Sequence, residues 1–258
     1  MRKPAIGISF KIYKNKKTDM ETYLGELKKS CVGTIEADLF VFPSMGTLAV
    51  ASDYLVNTEI HFGAQNIAPI ANGALTGELS IESLIDWQAD FVEVGHAERR
   101  QELGETDKCI AKKIKLALAN QVTPVVCIGE DETQKKRLRE QLNRQLRADL
   151  SDIPEEQLKK VILAYEPIWA IGQKEAASAD YVHQAHRIIR EEMIDLFSDE
   201  VAQAVRIIYG GSVSKENTEA IVKDENVDGV FVGRFGHDPQ NFKEIVDLVL
   251  KIKNEVKE

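Results

Sequence analysis

The sequence predicts an α/β chain folded as one domain over residues 1–258, a closed (β/α)8 barrel. Three observations carry that expectation. Eight short runs rich in β-branched residues recur along the chain, alternating with longer stretches of helical period. The runs are apolar along most of their length, which suits parallel strands covered by helices. No low-complexity linker interrupts the 258 residues, a length that one such barrel fills. An open doubly wound sheet is the competing architecture for the same alternation.

In chain order, the strand candidates begin at Ala5 (AIGISF), Asp38 (DLFVF), Glu59 (EIHFGA), Phe91 (FVEV), Thr123 (TPVVC), Val161 (VILAY), Val205 (VRIIY) and Gly229 (GVFV). Helix starts are signalled by Asp19, by Ser80 before IESLIDW, and by Asp238-Pro239 before NFKEIVDLVL. Residues 134–150 read as a helix whose Leu138, Leu142 and Leu146 recur at i, i+4. That stripe is too short for a coiled coil and fits a helix packed on a sheet.

Composition narrows the function classes. With 43% hydrophobic and 29% charged residues the chain is globular and not disordered. The 33 Lys+Arg against 42 Asp+Glu leave a net charge of −9, whose field argues against general nucleic-acid or acidic-membrane binding. Cys31, Cys109 and Cys127 show no paired spacing, so neither a disulfide framework nor a zinc knuckle is expected, and a reducing compartment is. His61, His183, His186 and His237 show no spacing that specifies a metal site. The N-terminus lacks the apolar core of a secretory signal, and no run reaches membrane-spanning length. A cytoplasmic protein is expected.

Active sites of such barrels are built on the loops that follow the strands. Those loops carry Lys11 after the first strand, His96 after the fourth and Glu166 after the sixth. Gly210-Gly211-Ser212 follows the seventh and Gly233-Arg234 the eighth. His96 opens a helix, whose N-terminal dipole disfavours an added proton and leaves a neutral imidazole able to donate to a carbonyl. Glu166 closes an apolar strand and precedes Pro167, a costly place for a carboxylate unless it serves as a general base of raised proton affinity. The glycine-bearing turns offer backbone N–H groups that bind a phosphate dianion without requiring a basic protein.

These segments resemble the triosephosphate isomerase family along nearly the whole chain: GAQN (63–66), GALTGE (73–78), VGHAERR (94–100), CIGE (127–130), AYEPIWAIG (164–172) and YGGSV (209–213). The resemblance implies a TIM barrel, a homodimer, a small phosphorylated sugar as substrate, and no metal or organic cofactor. It implies that Glu166 is the base moving a proton between adjacent carbons, His96 the electrophile, and Lys11 the cation steadying the enediolate, with Glu98 as its ion-pair partner. Gly172, Ser212 and Gly233 would supply phosphate-binding amides. Residues 167–169 would form the hinge of a lid, and Thr76 would reach into a partner subunit to steady Lys11 and His96 there.

Four positions depart from the family pattern. Ser9 stands where NWKMN has asparagine, and Ala97 where GHSERR has serine. The lid reads Ile171-Gly172-Gln173-Lys174-Glu175 in place of IGTGK, and Arg234 follows Gly233 where a glycine pair is usual. All four flank the substrate, and Arg234 would add a charged donor. Smaller Ser9 and Ala97 suggest room for one more hydroxymethyl group. The preferred expectation is therefore a branch interconverting L-erythrulose 1-phosphate and D-erythrulose 4-phosphate. Ordinary triosephosphate isomerisation is the alternative, and a catalytically silent sugar-phosphate binder a third.

Overall fold

The structure is a computed structural model that describes residues 2–173 and 176–255. The strands are β1 (Ala5–Ser9), β2 (Asp38–Phe42), β3 (Ile60–Ala64), β4 (Phe91–Val94), β5 (Thr123–Ile128), β6 (Ile162–Tyr165), β7 (Arg206–Tyr209) and β8 (Gly229–Val232). Each pairs in parallel with its sequence neighbours, and β1 pairs with β8 through Ala5↔Gly229 to Ile8↔Val232. That last pairing closes the barrel and excludes the open sheet. Glu59, Val161 and Val205 each lie one residue ahead of the strand they were expected to begin.

Strand period divides the apolar residues into two cores. Inside the barrel sit Ala5, Phe40, Phe42, Phe91, Val125, Cys127, Ile162, Ala164, Ile208 and Phe231. Their alternates, such as Ile6, Ile8, Val92, Val94, Leu163 and Tyr165, belong to the outer core beneath the helices. The inner floor is aromatic: the Phe40 and Phe91 rings stack at 5.0 Å, and Phe42 meets Phe231 edge-on at 5.8 Å. Gly7 belongs to this layer because a Cβ there would lie 2.0 Å from the Phe40 ring. Above the floor, the inward positions turn polar or small, and the loops begin.

Two helix starts behave as expected. Ser80 accepts from Glu82 N–H at 3.0 Å, and Asp238 accepts from Gln240 N–H at 2.8 Å ahead of helix Pro239–Glu255. Asp19 does not cap. The helix Lys17–Cys31 starts two residues earlier behind an extended Lys16, so Asp19 lies inside the first turn, where its charge complements the dipole. The stretch 134–150 is not one helix either. A 3-10 turn, Glu132–Arg137, held by an Asp131–Gln134 capping box, precedes the α-helix Leu138–Leu150, whose three stripe leucines are buried. His183 and His186 pack against the backbone, donating to carbonyls of Ala220 and Ile221 and of Asn226. No helix among the described residues is long and apolar enough to cross a membrane.

Gly7→Ala forces a methyl group into Phe40 and should destabilise the barrel by ~2 kcal/mol or more. Urea unfolding followed by circular dichroism measures this as a lower midpoint at unchanged slope.

Candidate active site

A cavity of about 710 Å³ opens at the C-terminal rim of the strands. Ser9, Lys11, His96, Glu98, Glu166, Gly172, Ser212, Gly233 and Arg234 all line it. Each arrives there for a local reason. Lys11 follows β1 in the left-handed region, φ 49°, a conformation unfavourable for a side chain with a Cβ. It is stabilised by Gln65, whose Nε2 lies 2.8–3.1 Å from the carbonyls of Lys11, Phe42 and Pro43. Lys11 Nζ then meets Glu98 Oε1 at 2.5 Å. Burial pulls the proton affinity of Lys11 down, but the Glu98 hydrogen bond and the charges of Glu98, Glu166 and Glu93 outweigh it and leave it raised.

His96 caps the short helix Ala97–Gln101: its Nδ1 accepts from Glu98 N–H at 3.2 Å. An Nδ1 that accepts carries no proton, so the neutral ring bears its hydrogen on Nε2. Burial, and then the Lys11 charge, push His96 down to about 4, against the opposing pull of Glu98. Ala97 is the buried first residue of this helix.

Glu166 directly follows β6, in phase with the inward-facing Ile162 and Ala164. It is 3% exposed, and its Oε2 has no hydrogen-bond partner among the described residues. His96 Nε2 is 3.7 Å from that oxygen, close but beyond hydrogen-bond distance. Two glycines admit this residue, one beside its side chain and one beside its backbone. A Cβ at Gly210 would lie 2.6 Å from Glu166 Cγ, and one at Gly129 would lie 2.0 Å from its carbonyl oxygen. Burial, followed by the Glu93 charge, pushes Glu166 up to about 8, with Lys11 opposing.

The loop after β6 is tied down on several sides. Glu130, fully buried, accepts from Trp169 Nε1 at 2.8 Å, Tyr181 OH at 2.9 Å and Tyr165 OH at 3.0 Å. Ser212 Oγ lies 2.8 and 3.0 Å from the carbonyls of Ala170 and Gln173, its one proton shared between them. Arg234 does not point away from the site: its Nη2 donates to the Gly172 carbonyl at 2.6 Å, bridging the loops after β6 and β8. Lys174 and Glu175, part of the divergent lid sequence, lie outside the described residues. Thr76 is exposed on the loop after β3 and does not line the cavity.

Three residues of this region escape sequence reading. Glu93 is buried and accepts from Ser9 Oγ at 2.8 Å. The available signal was its inward phase, two residues after Phe91 in FVEV. Gln65 and Glu130 sit in segments that resemble the family, GAQN and CIGE, yet their partners are scattered along the chain.

The triosephosphate isomerase family profile matches residues 4–249. The chain belongs to this family. It is 48% identical over 98% of its length to the whole of a probable triosephosphate isomerase 2 of Listeria monocytogenes, and equally similar to triosephosphate isomerase 2 of Listeria innocua. A triosephosphate isomerase of Dictyoglomus turgidum is 35% identical over 95% of the chain and 99% of its own length. Membership makes the chain an isomerase, with a small phosphorylated sugar as fitting substrate; the silent-binder expectation is set aside. The expected tetrulose-phosphate branch, acting on L-erythrulose 1-phosphate, is overturned by the same full-length similarity to proteins bearing the triosephosphate isomerase name. The two substitutions read as making room are both accounted for in the structure: Ser9 is bonded to Glu93, and Ala97 is buried in the first turn of its helix.

The Glu166 carboxyl has a stability signature. Its proton affinity is raised from 4.5 to about 8 in the folded state, so the folded chain binds the proton more tightly than the unfolded chain. The contribution is therefore fully favourable below pH 4.5 and is lost as pH rises through about 8. Glu166→Gln removes that loss. Differential scanning calorimetry should show the variant melting roughly 2–6 °C above the parent at pH 8, with the gap closing toward pH 5.

Proposed function

We propose that this isomerase interconverts glyceraldehyde 3-phosphate and dihydroxyacetone phosphate by proton transfer through an enediolate. One observation carries the reading. The buried Glu166 Oε2, without a partner among the described residues, and the Nε2 of a neutral His96 converge 3.7 Å apart over the same cavity. A carboxylate of raised proton affinity paired with a neutral imidazole is the arrangement for which triosephosphate isomerase is the standard example. Ionised Glu166 takes the proton from the carbon beside the carbonyl and returns it to the neighbouring carbon. His96 Nε2–H donates to the carbonyl oxygen as charge develops, and Lys11 stabilises that charge. Backbone amides of Gly172, Ser212 and Gly233, with the Arg234 guanidinium, hold the phosphate. Glu98 keeps Lys11 in place, and the loop after β6 excludes water.

We read the chain as a cytoplasmic homodimer of one domain, residues 1–258. Support for the dimer comes from exposed apolar side chains on three adjacent loops: Ile12 and Tyr13 after β1, Met45 after β2, Ile70 and Leu75 after β3. Thr76 sits at the end of this set. Light scattering on the purified protein should give about twice the 28.9 kDa chain mass. Ile70→Asp combined with Leu75→Asp should shift the protein toward monomer and lower its activity, since Thr76 would no longer reach a second site.

A coupled assay on glyceraldehyde 3-phosphate decides the reaction. Efficient turnover supports the reading, and none at any pH refutes it. The rate constant kcat/KM should fall as pH drops through a midpoint near about 8, the proton affinity of Glu166 in the free protein. His96, held down at about 4, should add no second inflection between pH 5 and 8. Glu166→Gln should lose roughly 10³-fold or more in kcat while retaining phosphate binding. Equal loss of both would make Glu166 structural.

A further inference from the structure

Glu93 takes no part in the proton transfer above, yet it is buried against Ser9, which lines the cavity. Strand period puts it there: Phe91 belongs to the inner core, Val92 and Val94 to the outer, so Glu93 turns inward one layer above the ring. Ser9 reaches the same layer from β1, where Ala5 faces inward and Ile6 and Ile8 face outward. Ser9 Oγ donates to Glu93 Oε2 at 2.8 Å within the barrel. A carboxylate at 2% exposure above a floor of phenylalanines is costly, and packing alone would be met by an apolar side chain.

A hydroxyl carries one proton and two lone pairs. With its proton committed to Glu93, Ser9 has only lone pairs left for the cavity it lines. We infer that Glu93 is a positioning residue for sugar-phosphate recognition: by fixing the Ser9 proton it makes Ser9 an acceptor that selects a hydroxyl group of the bound substrate. The inference rests on reading this cavity as the sugar-phosphate site. His96 Nε2–H, by contrast, is a donor and selects the carbonyl oxygen. The two side chains together read the two oxygens of an α-hydroxycarbonyl by opposite hydrogen-bond polarity, which fixes the direction in which the substrate lies.

The ionised form of Glu93 is the one that holds the Ser9 proton. Around it stand Lys11 beyond β1, Cys127 on β5, Glu98 and Arg99 on the helix after β4, and Glu166 at the end of β6. Burial pushes Glu93 up to about 7, while the Ser9 hydrogen bond and the Lys11 and Arg99 charges pull it down and Glu98 pushes it further up. Removing the Ser9 hydroxyl therefore raises the proton affinity of Glu93 even with no ligand present.

The test is a double-mutant cycle on the full-length enzyme with Ser9→Ala, Glu93→Gln and both, joined to a carboxyl 13C NMR titration of the ligand-free protein. Each single variant should raise KM for glyceraldehyde 3-phosphate about tenfold with kcat within about threefold, and the double variant should be no worse than Ser9→Ala. Ser9→Thr, which restores a hydroxyl, should recover most of the loss. In the free protein Ser9→Ala should move the Glu93 midpoint upward by about one pH unit. Multiplying losses in the double variant, or an unmoved Glu93 midpoint, overturns the inference. A parent enzyme inert toward glyceraldehyde 3-phosphate, with the Glu93 midpoint still moved by Ser9→Ala, refutes the triose reaction and leaves the Ser9 orientation standing.

Discussion

The Glu166 carboxylate is held at the end of an apolar strand, nearly out of reach of water, with one oxygen bonded to nothing among the described residues. Much of the rim is arranged around that costly placement. Gly210 lacks a side chain where the carboxylate lies, and Gly129 lacks one where the Glu166 backbone passes. Lys11 accepts a left-handed backbone and the grip of Gln65 to bring an ammonium group into the same cavity. His96 spends Nδ1 on a helix cap, which leaves the proton on the nitrogen facing Glu166. In a wet, exposed position the same carboxylate would have a lower proton affinity, and water would occupy its lone pairs.

Charge at the site is organised on a much shorter scale than the net charge of the chain. A total of −9 repels polyanions at long range. Inside the cavity, however, Lys11 and Arg234 stand among backbone amides that carry no net charge. The acidic neighbours Glu93 and Glu98 are each bonded to a donor, Ser9 and Lys11 respectively. The local field in the cavity thus differs in sign from the field of the whole chain, which suits the small dianion proposed as substrate.

The strands and helices were legible because parallel strands buried on both faces leave continuous apolar runs, and these run starts fell within one residue of the observed ones. Lys11, His96 and Glu166 could be singled out as lining residues because each stands within two residues of the end of such a run. Asp19 was misplaced because an acid in a first turn and an acid at a cap look alike in sequence. Glu93 was hidden by the run that contains it: reading FVEV as apolar passes over the one inward acid. Gly7 and Glu130 could not be interpreted locally, since Phe40, Tyr165, Trp169 and Tyr181 meet them only in the folded barrel. The departures at Ser9 and Arg234 were visible, but their partners were not. Reading Ser9 and Ala97 as empty space leads to the wrong substrate branch.

The pairing of β1 with β8 ties catalytic competence to completion of the chain. Arg2 bonds to Asp228 across 226 residues, and Tyr23 OH donates to the Gly236 carbonyl across 213. The proposed phosphate grip at Gly233 and Arg234 lies on this last-made side, opposite in sequence but adjacent in space to Lys11. Such long-range closure is slow to form, because loop entropy is lost before the contacts reward it. A nascent chain still lacking β8 would expose both margins of the sheet and hold only part of its site. Competence should therefore arrive in one late step, when the ends of the chain meet, and not strand by strand during synthesis.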